Sequence, residues 1–408
     1  MFFNLKVRFY KIRVSLMTLL FKLIHQEKPI LFTGKNASGQ LCENIAYFGQ
    51  KKVLIVTDSM LAKLDLIGGI KSSLEENGVE SAVFDGVEPD PTYDIVDAGI
   101  AMFKSEKCDS ILAVGGGSSI DAAKAIAIGA NNNVSSAIKL AGPYKGKRRP
   151  KPFFCIPTTA GTGSEVTLAA VVSDSKTHKK LPIADHRTIP IAAALDPEIM
   201  QGMPQQVTAA TGLDALTHAV ESYITTIATP ATNYYAVAAI RMIFKNLPEA
   251  YKNGSNLKAR EAMGLASFYA GYAFTRTLLG YVHGIAHQFG GYYGTPHGMA
   301  NALVLPHILD FSKDCINDKL AVLAKEIGVG HEGMNEEELA QCFIDAVYQL
   351  RRDVGLPETL DKLQEKDIPD IAKAALWEAH TAYPVPKYMD KAKCEEIIGK
   401  LLPTNNLG

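Results

Sequence analysis

The chain has 408 residues, 47% of them apolar and 21% charged, an ordinary globular composition in a chain too long for one core. Lysine and arginine total 42 against 43 aspartate and glutamate, a net charge of −1, which argues against nucleic acid as the main partner. The six cysteines (Cys42, Cys108, Cys155, Cys315, Cys342, Cys394) are scattered with no Cys-x-x-Cys pair, against a disulfide framework or cysteine zinc site and in keeping with reduced thiols in a cytoplasmic protein.

Residues 1–28 open the chain with Lys6, Arg8, Lys11, Arg13 and Lys22 and no acid before Glu27. Read as a helix, Leu5, Phe9, Ile12, Leu16, Leu19, Leu20 and Leu23 fall on one stripe flanked by the basic residues. The longest uncharged run, Val14–Phe21, is far short of the roughly 20 residues that a membrane span needs. A signal peptide fits poorly, because it would place its basic residues first, then a longer clean apolar run, then small residues at a cleavage site. Two readings stand: a helix lying on a membrane or partner surface, or an extension packed on its own protein.

Residues 29–200 alternate strand and helix. Lys52–Thr57 is a short β-branched run, hence a buried strand; a helix is expected over Leu61–Asn77 and a strand near Ser81–Phe84. Asp90-Pro91-Thr92 opens a further helix, and Ser110–Val114 is another buried strand. Strands separated by helices of this length imply right-handed crossovers and a parallel sheet, an α/β domain of the dinucleotide-binding kind. Asp58 closes the first strand of that series, either as a helix N-cap or as an acceptor for the ribose hydroxyls of NAD. Val114 then runs into Gly115-Gly116-Gly117-Ser118-Ser119-Ile120-Asp121. Such a turn either serves only to reverse the chain or lets a pyrophosphate approach the free N–H groups of the following helix. The spacing is not Gly-x-Gly-x-x-Gly, and an acid would ordinarily follow the glycines by about 20 residues instead of preceding them. A second small, hydroxyl-rich loop, Pro157–Glu165, reads on its own as a polar linker.

From Pro204 onward the pattern becomes helical: Gln205–Thr226, Ala231–Asn246, Leu257–Thr277, Val282–Phe289, Lys319–Ile327, Asn335–Val354, Ile368–Thr381 and Lys391–Leu401. The boundary falls within Leu195–Met203, making residues 201–408 an all-helical domain. Asp214 and His218 stand four apart on one helix face, as do His283 and His287. Gly290-Gly291 and Gly294-Thr295-Pro296 are expected to break the second helix, so that His297 returns on a turn. Read singly, Asp214 is an acid near a helix start and each histidine is incidental. Together, Asp214, His218, His283 and His297 are one carboxylate and three imidazoles, suitable ligands for a borderline divalent metal that keeps a position open.

With these four positions the chain resembles the iron-containing (group III) alcohol dehydrogenases over Pro29–Leu402. That resemblance implies an NAD-dependent enzyme of dehydroquinate synthase-like architecture that interconverts small primary alcohols and aldehydes. It also implies a homodimer or larger homo-oligomer, with catalysis in the cleft between an N-terminal coenzyme domain and a C-terminal metal domain. Asp214, His218, His283 and His297 would hold Fe²⁺, or Zn²⁺ in the same site, while His287 matches a family histidine beside the metal. The diphosphate of NAD would sit on Gly115, Gly116, Gly117 and Ser118, with Asp121 in the same motif. Thr158, Thr159 and Thr162 would lie around the coenzyme, and Lys180 near its nucleotide. The early position of Asp58 also fits this family.

A divalent cation would polarise the alcohol or carbonyl oxygen, hydride would pass to the nicotinamide, and His287 would relay the alcohol proton. Phe274 and Phe289, with Leu279, are either apolar walls of the substrate pocket or helix core. Leu278-Leu279-Gly280 is bulkier than the Gly-Leu-Gly frequent in the family, and Tyr383–Lys387 departs from its better-known members, so the substrate stays open. Two other functions compete. A metal-dependent lyase of the dehydroquinate synthase type would require several basic residues near its charged substrate, and only Arg276 is close in sequence. A non-catalytic binding protein could keep the fold.

Overall fold

Short β-branched runs cannot bury both faces alone, and here they become strands of one parallel sheet covered by helices on either side. In the computed structural model, which describes residues 2–22, 27–132, 134–177 and 179–403, the chain divides into two units. One comprises His25–Met203; the other comprises Pro204–Gly408 together with Met1–Ile24.

In chain order, helix α1 (Phe2–Lys22) comes first, followed by the α/β unit. That unit contains β1 (Ile30–Thr33), α2 (Ala37–Tyr47), β2 (Lys52–Asp58), α3 (Ser59–Lys63), α4 (Leu66–Glu76), β3 (Glu80–Val87) and α5 (Tyr93–Ser105). It continues with β4 (Ser110–Gly115), α6 (Gly117–Asn132), β5 (Gly142–Pro143), β6 (Phe153–Pro157), β7 (Ala169–Ala170), β8 (Ile183–Ala184) and β9 (Ala192–Leu195). The main sheet has the order β1-β9-β6-β4-β2-β3, every neighbouring pair parallel. Side-chain alternation sends Leu54, Val56, Ile111 and Ala113 into a core with α5 and α6. Val53, Ile55, Leu112 and Val114 point the other way, into a core with α2 and α4.

The helix expected over Leu61–Asn77 is two helices, because Asp65 takes a left-handed conformation (φ 55°) between α3 and α4. The small β5-β8-β7 sheet was not anticipated; its two-residue strands carry no readable alternation. Inside this unit Lys124 is fully buried on α6, its Nζ donating to Thr167 O (2.8 Å), Thr167 Oγ1 (2.8 Å) and Ala169 O (2.9 Å). Those bonds tie the helix that follows the glycine loop to the segment beyond Ser164.

The second unit has no strand among its described residues. It contains α7 (Gln205–Ile224), α8 (Pro230–Lys252), α9 (Leu257–Thr277), α10 (Tyr281–Tyr293), α11 (His297–Ile327), α12 (Glu336–Asp353), α13 (Ile368–Ala382) and α14 (Lys391–Gly399). Of the two breaks expected here, the one at Gly290-Gly291 does not occur, while Gly294-Thr295-Pro296 does separate α10 from α11. α10 runs through Gly290-Gly291 and ends only at Gly294, which takes the left-handed conformation (φ 63°) suited to a helix end. His297 is therefore the first residue of another helix, not part of a free turn. α11 also extends far upstream of Lys319, carrying Pro306 inside it and a non-helical kink at Ile316 (φ −137°). Burial along its first half outweighs the local cost of the proline.

α1 packs on this helical unit through one side only. The Tyr10 ring lies 5.1 Å from that of His380 and stacks on Tyr388 at 6.3 Å, and Val14 and Thr18 are buried. Burial pushes the His380 pKa down to about 4, so the ring beneath this basic helix is neutral. Of the expected apolar stripe, Leu23 and the side chains of Leu5 and Leu20 lie outside the described residues, as do Met1 and the rest of 24–26. No described helix is long and apolar enough to cross a membrane.

Candidate metal centre and coenzyme loops

Three helices deliver the four expected ligands. Asp214 and His218 come from one face of α7, His283 from the first turn of α10, and His297 from the start of α11. Their ligand atoms all lie within 4.8 Å of one another. Asp214 Oδ1 is 3.9 Å from Nε2 of His218, 3.9 Å from Nε2 of His283 and 3.5 Å from Nε2 of His297. Asp214, His218 and His283 are buried, while His297 is partly open. Gly298 permits this approach, since a Cβ there would run into the Ala210 carbonyl of α7.

Partners behind the ligands set their orientation. Glu221 lies one turn past His218 on α7 and is buried. Its Oε1 accepts from Val282 N (2.8 Å), and its Oε2 accepts from Gly280 N (3.0 Å) and faces His283 Nδ1 at 2.6 Å. Burial pushes the Glu221 carboxyl up to about 8, against the pull of these N–H donors. His283 is held well below its ordinary pKa, by burial first and then by the imidazoles of His218, His297 and His287. Neutral His283 that donates through Nδ1 leaves its Nε2 lone pair toward the cluster, the tautomer a metal needs. Asn301, one turn into α11, reaches the same point: its Nδ2 donates to Asp214 Oδ1 (2.7 Å) and stands 3.2 Å from Nε2 of both His283 and His297. Its buried Oδ1 has no hydrogen-bond partner among the described residues.

This donor set fits a divalent cation. A carboxylate oxygen and three imidazole nitrogens converge at one point, where a positive charge would be favoured by all four. Thiolates are absent from the cluster, which suits a catalytic site more than a structural zinc site.

His287 lies beside the cluster and outside the four ligands. Its ring is 5.4 Å from that of His297 and 5.8 Å from that of His283. Its Nδ1 lies 2.7 Å from Glu378 Oε1, which also accepts from the Tyr383 hydroxyl at 2.6 Å. Gln288 Nε2 holds the other carboxylate oxygen at 3.2 Å. Burial, then the neighbouring Glu378 charge, raises the Tyr383 pKa well above its ordinary value, so the phenol remains a donor. Phe274 is partly open and stacks on the His218 ring at 4.2 Å, whereas Phe289 is fully enclosed in helix core.

Glu221, Asn301, Glu378 and Tyr383 were not anticipated. Glu221 and Asn301 carried a signal, standing one turn from His218 and from His297 on the same helix faces. Glu378 and Tyr383 carried none, since α13 and the chain after it meet α10 only in the fold.

In the α/β unit, adjacent parallel strands β2, β4 and β6 end together, placing Asp58, Gly115 and Pro157 along one sheet edge. Thr158 N donates to Gly115 O at 3.0 Å, joining the glycine turn to the threonine loop. A Cβ at Gly117 would come within 2.8 Å of Thr162 Cγ2, and one at Gly116 within 3.4 Å of Thr159 Oγ1. Gly115, Gly116, Gly117, Thr158, Thr159 and Thr162 therefore share one place, with Ser118 on the first turn of α6. Asp58 caps α3, its Oδ1 accepting from Met60 N and Leu61 N at 3.0 Å each. Asp121 is turned inward: it is buried, its Oδ2 accepts from Val171 N (2.9 Å), and burial raises its pKa. Lys180 is exposed, its Nζ 2.8 Å from Asp90 Oδ1.

Two family models match the chain: one described as iron-containing alcohol dehydrogenase over residues 29–197, the other as the C-terminal part of the Fe-containing alcohol dehydrogenase family over 208–402. A 1,3-propanediol dehydrogenase of Citrobacter freundii is 40% identical over 370 residues, covering 90% of this chain and 95% of that protein. An NAD-dependent methanol dehydrogenase of Bacillus methanolicus is 37% identical over 349 residues, covering 85% and 91%. Among solved structures, a 1,3-propanediol oxidoreductase superposes with a TM-score of 0.89 at 39% identity, covering 93% of this chain and 100% of that one.

The Glu221–His283 pair generates a prediction. Glu221→Gln keeps the side-chain shape but replaces one of the two carboxyl oxygens with an amide nitrogen, and it should weaken metal affinity by about 10- to 100-fold. Chelator-competition titration measures this directly; unchanged affinity would mean that the backbone alone orients the ring.

Proposed function

The chain belongs to the iron-containing alcohol dehydrogenase family, and from that premise we propose that it is an NAD-dependent enzyme interconverting primary alcohols and aldehydes with Fe²⁺ as its working metal. It is an oxidoreductase of the alcohol dehydrogenase type. Relatives that are themselves alcohol dehydrogenases do not favour the lyase and non-catalytic readings. The observation that carries the proposal is the convergence of Asp214, His218, His283 and His297 donor atoms within 4.8 Å.

A divalent cation bound there supplies Lewis-acid polarisation of the substrate oxygen, and NAD supplies the hydride acceptor. The chain's residues do the rest. Glu221 fixes the His283 ring, and Asn301 ties the start of α11 to Asp214. With Nδ1 donating to Glu378, His287 presents Nε2 as the base that takes the alcohol proton. Glu378 stabilises the imidazolium that results, and the Tyr383 hydroxyl shares that carboxylate. In the α/β unit the glycine turn and the start of α6 offer N–H groups to the coenzyme diphosphate, with the threonine hydroxyls alongside. Asp58 keeps Oδ2 available for the adenosine ribose while Oδ1 caps α3.

Three outcomes test this reading. Chelation should abolish turnover and Fe²⁺ added without oxygen should restore it, with Zn²⁺ entering the same site at different activity. Metal analysis of anaerobically purified protein, paired with turnover, decides the matter; full activity in metal-free protein would overturn the proposal.

His287→Ala should lower turnover by about 10²- to 10⁴-fold while metal content stays near that of the parent, since it removes a relay and not a ligand. Loss of the metal in that variant would make His287 a ligand.

Asp58 should favour NAD over NADP. Two like charges about 4 Å apart at an effective dielectric of about 20 repel by roughly 4 kcal/mol before screening. Asp58→Gly should narrow the NAD/NADP ratio of kcat/KM, and an unchanged ratio would leave Asp58 as a helix cap alone.

A further inference from the structure

The two sides of α1 differ in a way that its sequence alone left open. Tyr10, Val14 and Thr18, spaced four apart, face the helical unit, Tyr10 on His380 and Tyr388. Phe9, Ile12, Leu16 and Leu19 point outward, exposed to 62%, 62%, 59% and 59%. At about 100° per residue these four fall within roughly 80° of arc, a continuous apolar strip away from the packed side. Lys6 and Arg13 border the strip on one side, Arg8 and Lys11 on the other, and all four are exposed. The helix contains no acidic residue.

A strip of large apolar side chains held open to water costs free energy unless something covers it. No described residue covers it, and the packing side is already used by Tyr10, Val14 and Thr18. We propose that α1 is an interfacial anchor that lays Phe9, Ile12, Leu16 and Leu19 into the surface of an anionic lipid bilayer while Lys6, Arg8, Lys11 and Arg13 meet the headgroups. Charge complementarity selects this occupant: cations on both flanks with no acid among them match a negatively charged plane. The helix is too short of apolar residues to span, so it lies flat. The enzyme is thereby held at the membrane surface, carried by α13 and the segment around Tyr388 on which α1 rests.

The test uses the full chain with vesicles of phosphatidylcholine containing about 30 mol % phosphatidylserine, and pure phosphatidylcholine vesicles beside them. Co-sedimentation should occur with the anionic vesicles, fall sharply with the neutral ones, and weaken as salt is raised. Leu16→Glu should reduce vesicle affinity by at least about tenfold, and Lys6→Gln, Arg8→Gln and Arg13→Gln by about fivefold each. All four sites are exposed, so turnover and thermal unfolding should match the parent protein and separate lost binding from lost folding. No sedimentation with anionic vesicles, or equal sedimentation of the Leu16→Glu chain, would overturn the proposal. So would self-association in vesicle-free solution that Leu16→Glu abolishes, because the strip would then belong to a second copy of the chain.

Discussion

The helical unit is built around four potential ligand groups brought to one point. Asp214, His218, His283 and His297 bring their ligand atoms within 4.8 Å of one another, the first three buried and His297 partly open, so that charge there is poorly screened. Such an arrangement persists only if surrounding structure holds each ring and carboxylate independently. Glu221 does this for His283 and for the start of α10 at once, because its two oxygens also accept the Gly280 and Val282 N–H groups that a helix start leaves free. Asn301 performs the corresponding task between α11 and Asp214. Close approach of α7 and α11 at Gly298 completes the clamp. A divalent cation is an electrostatic partner that this donor set fits.

His283 and His287 show how neighbouring imidazoles on one helix come to different surroundings. His283 and His287 share a face of α10, yet one is backed by Glu221 and the other by Glu378. The first backing lies in a fully buried place and points the ring at the other ligands. The second is half-open, and Tyr383 donates to the same Glu378 oxygen.

The α/β unit and α1 follow simpler physics. Parallel pairing aligns strand ends, which is enough to gather Asp58, the glycine turn and the threonine loop along one edge. The triply bonded ammonium of Lys124 then fixes α6, whose first turn carries part of that edge. α1 has more apolar surface than one packing side can bury, so it joins the helical unit through an aromatic cluster and leaves a second strip outward.

Much of this was legible in the residues. Helical spacing put Asp214 with His218 and His283 with His287, and strand-length β-branched runs announced the parallel sheet. Those signals are local, and the geometry of a single helix or strand carries them. Gly290-Gly291 misled because propensity is weak against burial: it lies inside a helix that tertiary packing holds intact. The inward turn of Asp121 and the enclosure of Phe289 were equally invisible, since a side chain's surroundings depend on elements distant in the chain. The sequence by itself determined the donor atoms, the strand and helix periods and the basic apolar character of α1. Tertiary structure alone decided that His297 begins a helix, that Glu221, Asn301 and Glu378 stand behind the histidines, and which side of α1 faces out. The physical reason is range: periodicity acts over a helical turn, whereas these choices arise from packing between segments tens to hundreds of residues apart.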